Sequence, residues 1–334
     1  MTLKIGEIPI GKGAMLAPMA GITNPPFRRL CVELGAALTV TELISCHALS
    51  MIRKKPAHAH KRLGAATLPL MAPFDGEYPL VVQIFGRDPD LMVMAAEEAV
   101  DRGAHVVDLN FGCPAKKVVK NGEGAGCALM LVPDLLQEIA RRVVGAVSVP
   151  VTAKMRIGWS PESKNGVEVA KRIEDAGVKL LTVHARTRNQ VHSGPVDLEV
   201  LAGIVRAVTI PVIGNGGIRS AEDAKKMVEA TGVRRVAVGQ GAKGNPWIFR
   251  ALAGNETEVT LTGRLDTCRR HLDLYVEWAG EFRAIREMRK HVAWYLKGFD
   301  GAAAVRDRIN RTDDVEGVRR ILDEVVDQIE APSV

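Results

Sequence analysis

From the N-terminus to about Leu252, short β-rich apolar runs alternate with amphipathic stretches, and this rhythm constrains the fold more than any other feature. Eight runs stand out: Ala14–Ala17, Leu38–Glu42, Leu80–Phe85, Val106–Asn110, Val151–Met155, Leu180–His184, Val212–Gly214 and Arg235–Val238. Each stops at Gly, Pro or a polar cluster, as strands do. The spacing predicts helices between them, among them Asp88–Arg102, Pro133–Val144, Pro161–Ala176 and Ala221–Ala230, with Pro or Ser/Asp signals at their starts. Eight strand–helix units point to an α/β chain closed into a (β/α)8 TIM barrel. The alternative is an open doubly wound sheet. Such sheets seldom reach eight even units, and no Gly-x-Gly-x-x-Gly opens a helix after the first strand.

After Asn255 strand formers thin out and helical periodicity takes over, through Leu265–Gly280, Phe282–Lys297 and Val315–Ile329. The expected organisation is a catalytic barrel over 1–253, a linker over 254–263 that includes Gly254-Asn255-Glu256-Thr257, and a small C-terminal helical bundle domain over 264–334. A chain of 334 residues, 47% hydrophobic and 25% charged, can bury two such cores. No run approaches the ~18 apolar residues of a membrane span, and Met1–Gly13 does not resemble a signal peptide, so a cytoplasmic protein is expected. Five scattered cysteines without metal-type spacing read as reduced thiols, with no metal site.

A net charge of +6 permits a polyanionic partner without requiring one. An aromatic content of 4% argues against a surface that stacks many bases. Two segments concentrate the positive charge. The stretch 53–62 carries Arg53, Lys54, Lys55, Lys61 and Arg62, with His58 and His60 and no acid. Residues 283–311 hold eight basic against three acidic side chains, with Arg286, Arg289 and Lys290 on one helical face. Basic stretches of this kind are solvated faces or anion contacts.

In a parallel barrel, chemistry gathers at the C-terminal strand ends, where the loops converge on one mouth. The first strand runs into Leu16-Ala17-Pro18-Met19-Ala20-Gly21, a tight apolar segment that is either core or a bed for a flat ring. Gln83 near the third strand's end offers an amide that both donates and accepts. Asn110-Phe111-Gly112-Cys113-Pro114 ends the fourth, with a thiol fixed between Gly and Pro that can act as nucleophile or proton donor, where a lone cysteine is more often structural. Lys154 on the fifth is either a solvated lysine or an ammonium that stabilises negative charge on a bound ring. His184-Ala185-Arg186-Thr187-Arg188 ends the sixth, where the imidazole is either a core histidine bonded to a carbonyl or part of the mouth, and the two guanidinium groups suggest an anionic ligand. Gly214-Asn215-Gly216-Gly217 and Gly239-Gln240-Gly241 end the seventh and eighth, where glycine loops commonly let backbone N–H groups approach a phosphate.

Taken in this order, the segments around Pro18, Cys113, Lys154, His184, Asn215 and Gly239 resemble the tRNA-dihydrouridine synthases over nearly the whole chain. Asn110-Phe111-Gly112-Cys113-Pro114, Gly244-Asn245-Pro246-Trp247 and Arg289-Lys290-His291 through Trp294-Tyr295 are most similar to the bacterial B class. The resemblance implies a bound FMN reduced by NADPH, hydride transfer from flavin N5 to C6 of a uracil in the tRNA D-loop, and Cys113 as the acid that protonates C5. For the B class it implies uridine 17. It further implies FMN contacts from Pro18, Met19, Ala20, Gln83, Lys154, His184, Asn215, Gly216, Gly217, Gly239 and Gln240. Asn110 and Arg186 are implied as uracil contacts, and Arg289 and Lys290 as tRNA contacts. Family members often carry Asp at the position of Gly217 and Arg at that of Gln240; the second departure removes a cation, which Lys243 stands near enough in sequence to replace. No obligate protein partner or membrane is implied. Two other readings remain: a reductase of a free pyrimidine, like dihydroorotate dehydrogenase, and a non-catalytic RNA-binding protein on an old flavin barrel.

Overall fold

A computed structural model describes residues 2–54, 64–255, 258–298 and 300–330. The basic stretch beyond Lys54 and the Glu256-Thr257 part of the expected linker lie outside the described residues.

The chain opens with a small antiparallel hairpin, β1 (Lys4–Ile5) and β2 (Ile8–Pro9). Nine further strands form one parallel sheet: β3 (Met15–Leu16), β4 (Leu38–Thr39), β5 (Ile44–Ser45), β6 (Val81–Phe85), β7 (Val106–Phe111), β8 (Val151–Arg156), β9 (Leu181–His184), β10 (Val212–Asn215) and β11 (Arg235–Val238). Their order is β4-β3-β11-β10-β9-β8-β7-β6-β5. The sheet closes on itself because β4 and β5 are two pieces of one barrel strand. Val40 between them bridges Val81, and the Thr41 N–H donates to the Val81 carbonyl at 3.0 Å. The expected continuous strand Leu38–Glu42 breaks there because the Thr41 hydroxyl takes the Gln83 N–H at 3.0 Å, a place a backbone carbonyl would otherwise hold. The TIM barrel expected from the repeat is the fold observed.

Among the described residues, the longer helices between barrel strands are α1 (Pro25–Glu33), α2 (Cys46–Lys54), α3 (Pro89–Asp101), α4 (Pro133–Ala146), α5 (Gly166–Asp175), α6 (Leu198–Ala207) and α7 (Ala221–Thr231). Their starts follow local chemistry. Asn24, Asp88, Asp197 and Ser220 each accept from a first-turn N–H, and Ser220 with Asp223 makes a reciprocal capping box. Helix α5 begins five residues later than Pro161. The Trp159 N–H donates to the Ser163 carbonyl and Asn165 Nδ2 donates to the Met130 carbonyl at 2.7 Å, which holds the intervening residues in a turn.

The hairpin was not anticipated, since two-residue strands carry no periodicity. Its Ile5, with Leu3 and Ile10, packs against Met15, Leu38, Val81, Val106, Leu180, Ile213 and Ala237. All three hairpin-region side chains are buried, which caps the barrel's N-terminal end. At ~1.5–3 kcal/mol per fully buried isoleucine, this cap stabilises the barrel appreciably.

After the last strand and a short helix over Ile248–Leu252, four longer helices follow among the described residues: α8 (Leu261–Ala279), α9 (Glu281–Tyr295), α10 (Ala302–Arg311) and α11 (Val315–Glu330). They share a core of their own, with Leu265, Leu272, Tyr275, Met288, Val292, Tyr295, Leu322 and Val325 among its members. The sequence reading lacked α10, whose buried stripe is little more than Ala302, Val305 and Ile309. The bundle docks on the barrel through α1. Arg270 pairs with Glu33 at 2.7 Å, Asn24 Nδ2 donates to the Tyr275 hydroxyl at 3.3 Å, and Phe27 lies 5.4 Å from the His271 ring and 5.7 Å from that of His291.

Candidate active site

The β–α loops converge at the end of the barrel opposite the hairpin, and the residues singled out from sequence come together there. Lys154 lies beside Asn110 in the β7–β8 register, and His184 beside Arg156 and Asn215 in the neighbouring ladders. The first loop is fixed by two bonds between Met19 and Thr23: the Met19 N–H donates to Thr23 Oγ1 at 3.0 Å, and that hydroxyl donates to the Met19 carbonyl at 3.2 Å. Pro18 is half-buried, Met19 buried and Ala20 exposed. Behind this loop, Arg28 pairs with Glu77 at 2.7 Å and donates to the Thr23, Leu70 and Ala72 carbonyls.

A buried polar chain leads from the barrel interior to the cysteine loop. Thr152 Oγ1 and Gln83 Nε2 each donate to Asp108 at 2.6 Å. Asn110 Nδ2 donates to Gln83 Oε1 at 2.7 Å, and Asn110 Oδ1 accepts from the Gly112 and Cys113 N–H groups at 3.1 and 2.9 Å. Because a carboxylate accepts, Asp108 orients the Gln83 amide, which orients that of Asn110, whose oxygen then holds the backbone of Cys113. Gln83 is fully buried and keeps one N–H and one lone pair for a ligand. Asn110 is occupied chiefly in shaping the loop.

Cys113 is the one cysteine of five that is not buried. Its carbonyl accepts from the Cys127 N–H at 3.1 Å. Gly126, at φ 61°, packs so closely that a Cβ there would stand 2.9 Å from the Cys113 carbonyl oxygen and 3.0 Å from its Cβ. The neighbouring chain therefore fixes both sides of the thiol-bearing loop.

Sequence reasoning missed Arg156, a fully buried guanidinium. It donates to the Gly112 carbonyl at 3.0 Å, to that of Thr187 at 2.8 Å and to that of Val191 at 2.7 Å, tying the cysteine loop to the loop after β9. Its signal was its place two residues after Lys154, on the same side of the strand. Burial lowers its pKa to about 10. Lys154 keeps part of its surface open to the mouth, but loss of hydration and the nearby Arg156 lower its pKa to about 8, against a pull upward from Asp108. His184, nearly buried, is driven well below the usual imidazole range by loss of hydration and then by Arg156, Lys154 and Arg186. It is neutral, and its Nε2 lies 3.4 Å from Arg186 Nη1, which donates to it. His192 stacks on His184 with ring centres 6.0 Å apart and is pushed down by desolvation and the same cations, with Lys243 added.

The glycine loops sit beside these cations. Gly216 and Gly217 have φ of 110° and 79°, and a Cβ at Gly217 would lie 3.8 Å from Arg186 Nη2. Asn215 donates to the Ala237 carbonyl at 2.7 Å and so ties β10 to β11. Gln240 is exposed; its Oε1 accepts from Lys243 Nζ at 2.9 Å, so the side chain that stands where a cation is expected carries one on its oxygen. Lys243 also lies 4.2 Å above the Trp294 ring of the bundle.

Of the two cations expected on α9, the structure brings one to the mouth. Lys290 pairs with Glu287 at 2.5 Å and lies near Gly21, where a Cβ would be 3.8 Å from its Nζ. Glu42 behind it accepts from the Gly21 N–H, and burial raises its pKa. Arg289 turns the other way, donating to the Thr312 carbonyl at 3.3 Å and approaching Asp313 at 3.7 Å.

A mouth of this kind, with one accessible thiol, a half-buried ammonium, a neutral imidazole and adjoining glycine loops beside a guanidinium, suits a flat, anionic, phosphate-tailed ligand and a proton-transfer reaction. The dihydrouridine synthase (Dus) family model matches residues 15–330. The tRNA-dihydrouridine synthase B of Shewanella oneidensis is 39% identical over 88% of this chain and 89% of its own. That of Pseudomonas aeruginosa is 39% identical over 94% of this chain and 92% of its own. A solved structure described as TcOYE with pHBA covers 79% of this chain and 95% of its own with a TM-score of 0.50 and 14% identity, a likeness of fold alone. The chain belongs to the dihydrouridine synthase family.

Proposed function

We propose that this chain reduces one uridine of the tRNA D-loop to 5,6-dihydrouridine, uridine 17 by its similarity to the B-class enzymes, with FMN as bound cofactor and NADPH as reductant in the cytoplasm. The observation that carries the reading is the placement of Cys113, a half-buried thiol held at the mouth by Asn110 and Gly126, in a site shared with the half-buried Lys154 and the buried Arg156 and His184. Bound FMN supplies the hydride. Its ring fits the bed of Pro18, Met19 and Ala20, and its phosphate fits Gly216, Gly217, Gly239 and the Gln240–Lys243 pair. Cations crowded without an equal number of acids accept an anion readily, which is the test these residues pass.

Within that arrangement Lys154 neutralises charge gathered on the ring. Cys113 holds a proton at Sγ and delivers it to C5 of the uracil, while Asn110 keeps the loop from drifting. Arg186 and the remaining N–H of Asn110 bind the uracil edge. Lys290 neutralises RNA phosphate near Gly21, while Arg289, turned toward Thr312 and Asp313, meets the RNA only away from the mouth. No described helix is long and apolar enough to cross a membrane, and none is needed for this reaction.

The test is direct. Purified protein should carry a flavin absorbance spectrum and, with NADPH and unmodified tRNA, form dihydrouridine that mass spectrometry places at one D-loop position. Bound flavin without an RNA product would replace this reading with that of a free-pyrimidine reductase; protein without flavin would replace it with the RNA-binding one.

A further inference from the structure

The elbow between α8 and α9 carries an aromatic residue with no place in the fold. Phe282 is 70% exposed, the most exposed of the large hydrophobic side chains among the described residues. A solitary exposed phenylalanine is ordinary; this one is organised. The Arg286 guanidinium, one turn on, lies 4.0 Å over its ring. Beside it, the Arg283 guanidinium lies 4.7 Å over Trp278, which is half-buried at the end of α8. Stacked rings and guanidinium planes are the surfaces on which unstacked nucleobases settle.

Two further facts give this patch a direction and a charge. Around α9, Phe282, Arg283, Arg286 and Lys290 fall within about a third of a turn, at 100° per residue, opposite the buried Ala284, Ile285, Met288 and Val292. Lys290 reaches Gly21 at the barrel mouth, so the stripe runs from the mouth to Phe282 over about 12 Å of helix. Elsewhere on the bundle, the guanidinium groups of Arg269, Arg308 and Arg319 pair with carboxylates of the bundle itself, and that of Arg270 with Glu33 of α1. Among the described residues, Arg283 and Arg286 make no ion pair and leave their charge for a ligand.

We propose that Phe282, backed by Arg286, is a stacking platform for one unpaired nucleobase of the RNA substrate, set along α9 from the base that enters the mouth. This rests on the reading that the substrate is tRNA. A base drawn out of a folded loop loses its stacking partners, and so do its neighbours. The platform replaces a lost partner for one of them, and Arg283 and Arg286 take the adjoining phosphates. It reads no particular base, because every base offers a flat face. Its part is to fix how far the loop is opened and which nucleotide then lies over Cys113.

The experiment compares Phe282→Ala, Phe282→Leu and Phe282→Trp with the unaltered holoenzyme, measuring Kd for unmodified tRNA, kcat and KM for dihydrouridine formation, and melting temperature. The expected result is a Kd and KM raised about tenfold in Phe282→Ala, nearly as much in Phe282→Leu, and restored in Phe282→Trp, with melting temperatures unchanged because the side chain is exposed. Since stacking releases no counterions, the ratio of variant to unaltered Kd should hold steady as salt is raised. Unaltered tRNA affinity in Phe282→Ala, or a leucine as effective as a tryptophan, overturns the platform and leaves the proposed reaction standing. Unaltered protein that binds tRNA but forms no dihydrouridine overturns the reaction, and the affinity ratios still decide the platform. Protein that does not bind tRNA at all removes both.

Discussion

Cys113 depends on its neighbours for its position more than on its own side chain. Asn110 accepts its N–H, Cys127 donates to its carbonyl, and Gly126 leaves room for both. Truncating the thiol should therefore leave the loop and the flavin in place and remove the proton. Cys113→Ala and Cys113→Ser are expected to retain flavin absorbance and to lose roughly 100-fold or more in uridine turnover. Turnover in either variant within a few-fold of the unaltered enzyme would assign the proton to another group. Gly126→Ala reaches the same thiol through the backbone. Its Cβ cannot coexist with the Cys113 carbonyl at 2.9 Å, and its φ of 61° strains any L side chain. A loss of turnover comparable to that of Cys113→Ala, with flavin retained, would show that the position of the sulfur matters as much as its presence; full activity would mean that the loop relaxes freely.

At the scale of elements, Arg156 joins two loops that no strand pairing connects. Its removal leaves the carbonyls of Gly112 and Thr187 without a partner in a buried place and that of Val191 without one in a partly buried place. Arg156→Gln is expected to lower the unfolding free energy by about 3 kcal/mol, measured by urea denaturation, since one amide cannot serve three directions. A cost below about 1 kcal/mol would mean that water reaches these carbonyls. This clamp was hidden in the sequence, because a charged residue near a strand end reads as solvent-facing. Asp108, within β7, was hidden because a carboxylate reads as solvent-facing, although burial raises its pKa and the Gln83 and Thr152 side chains both donate to it. Cys113, Lys154 and His184 were legible because a parallel barrel fixes which strand ends share a mouth. The barrel itself was legible from repetition, whereas β1, β2 and α10 are too short or too weakly amphipathic to declare themselves.

At the scale of the whole molecule, barrel and bundle meet across an aromatic seam. His271 and His291 lie with ring centres 4.5 Å apart, both buried, beside Phe27 of α1. His271 Nδ1 lies 3.3 Å from the Tyr295 hydroxyl, while its Nε2 and both nitrogens of His291 have no hydrogen-bond partner among the described residues. Burial holds both rings neutral, with the His271 pKa near 3 and that of His291 well below the imidazole range. The unfolded chain takes up these protons below about pH 6.5 and the folded chain does not, so the stability these neutral rings allow is fully present above that pH. It falls as the pH drops, by at most about 1.4 kcal/mol per pH unit for each histidine. His291→Phe, which suits the surrounding rings, should make the fall in urea-unfolding free energy between about pH 6.5 and 5 shallower by about 1 kcal/mol per unit. An unchanged slope would show that His291 is protonated inside the folded seam.

The hairpin that stops the barrel's far end has a bearing on order in time. With Ile5 and Ile10 filling that end, the barrel is a cup and not a tube. Whatever arrives and whatever departs must pass one rim. For the reaction proposed, the nicotinamide and the RNA must take turns at the same face, and a crowd of either delays the other. Traffic at a single door, more than the chemistry behind it, would then set the pace of the enzyme.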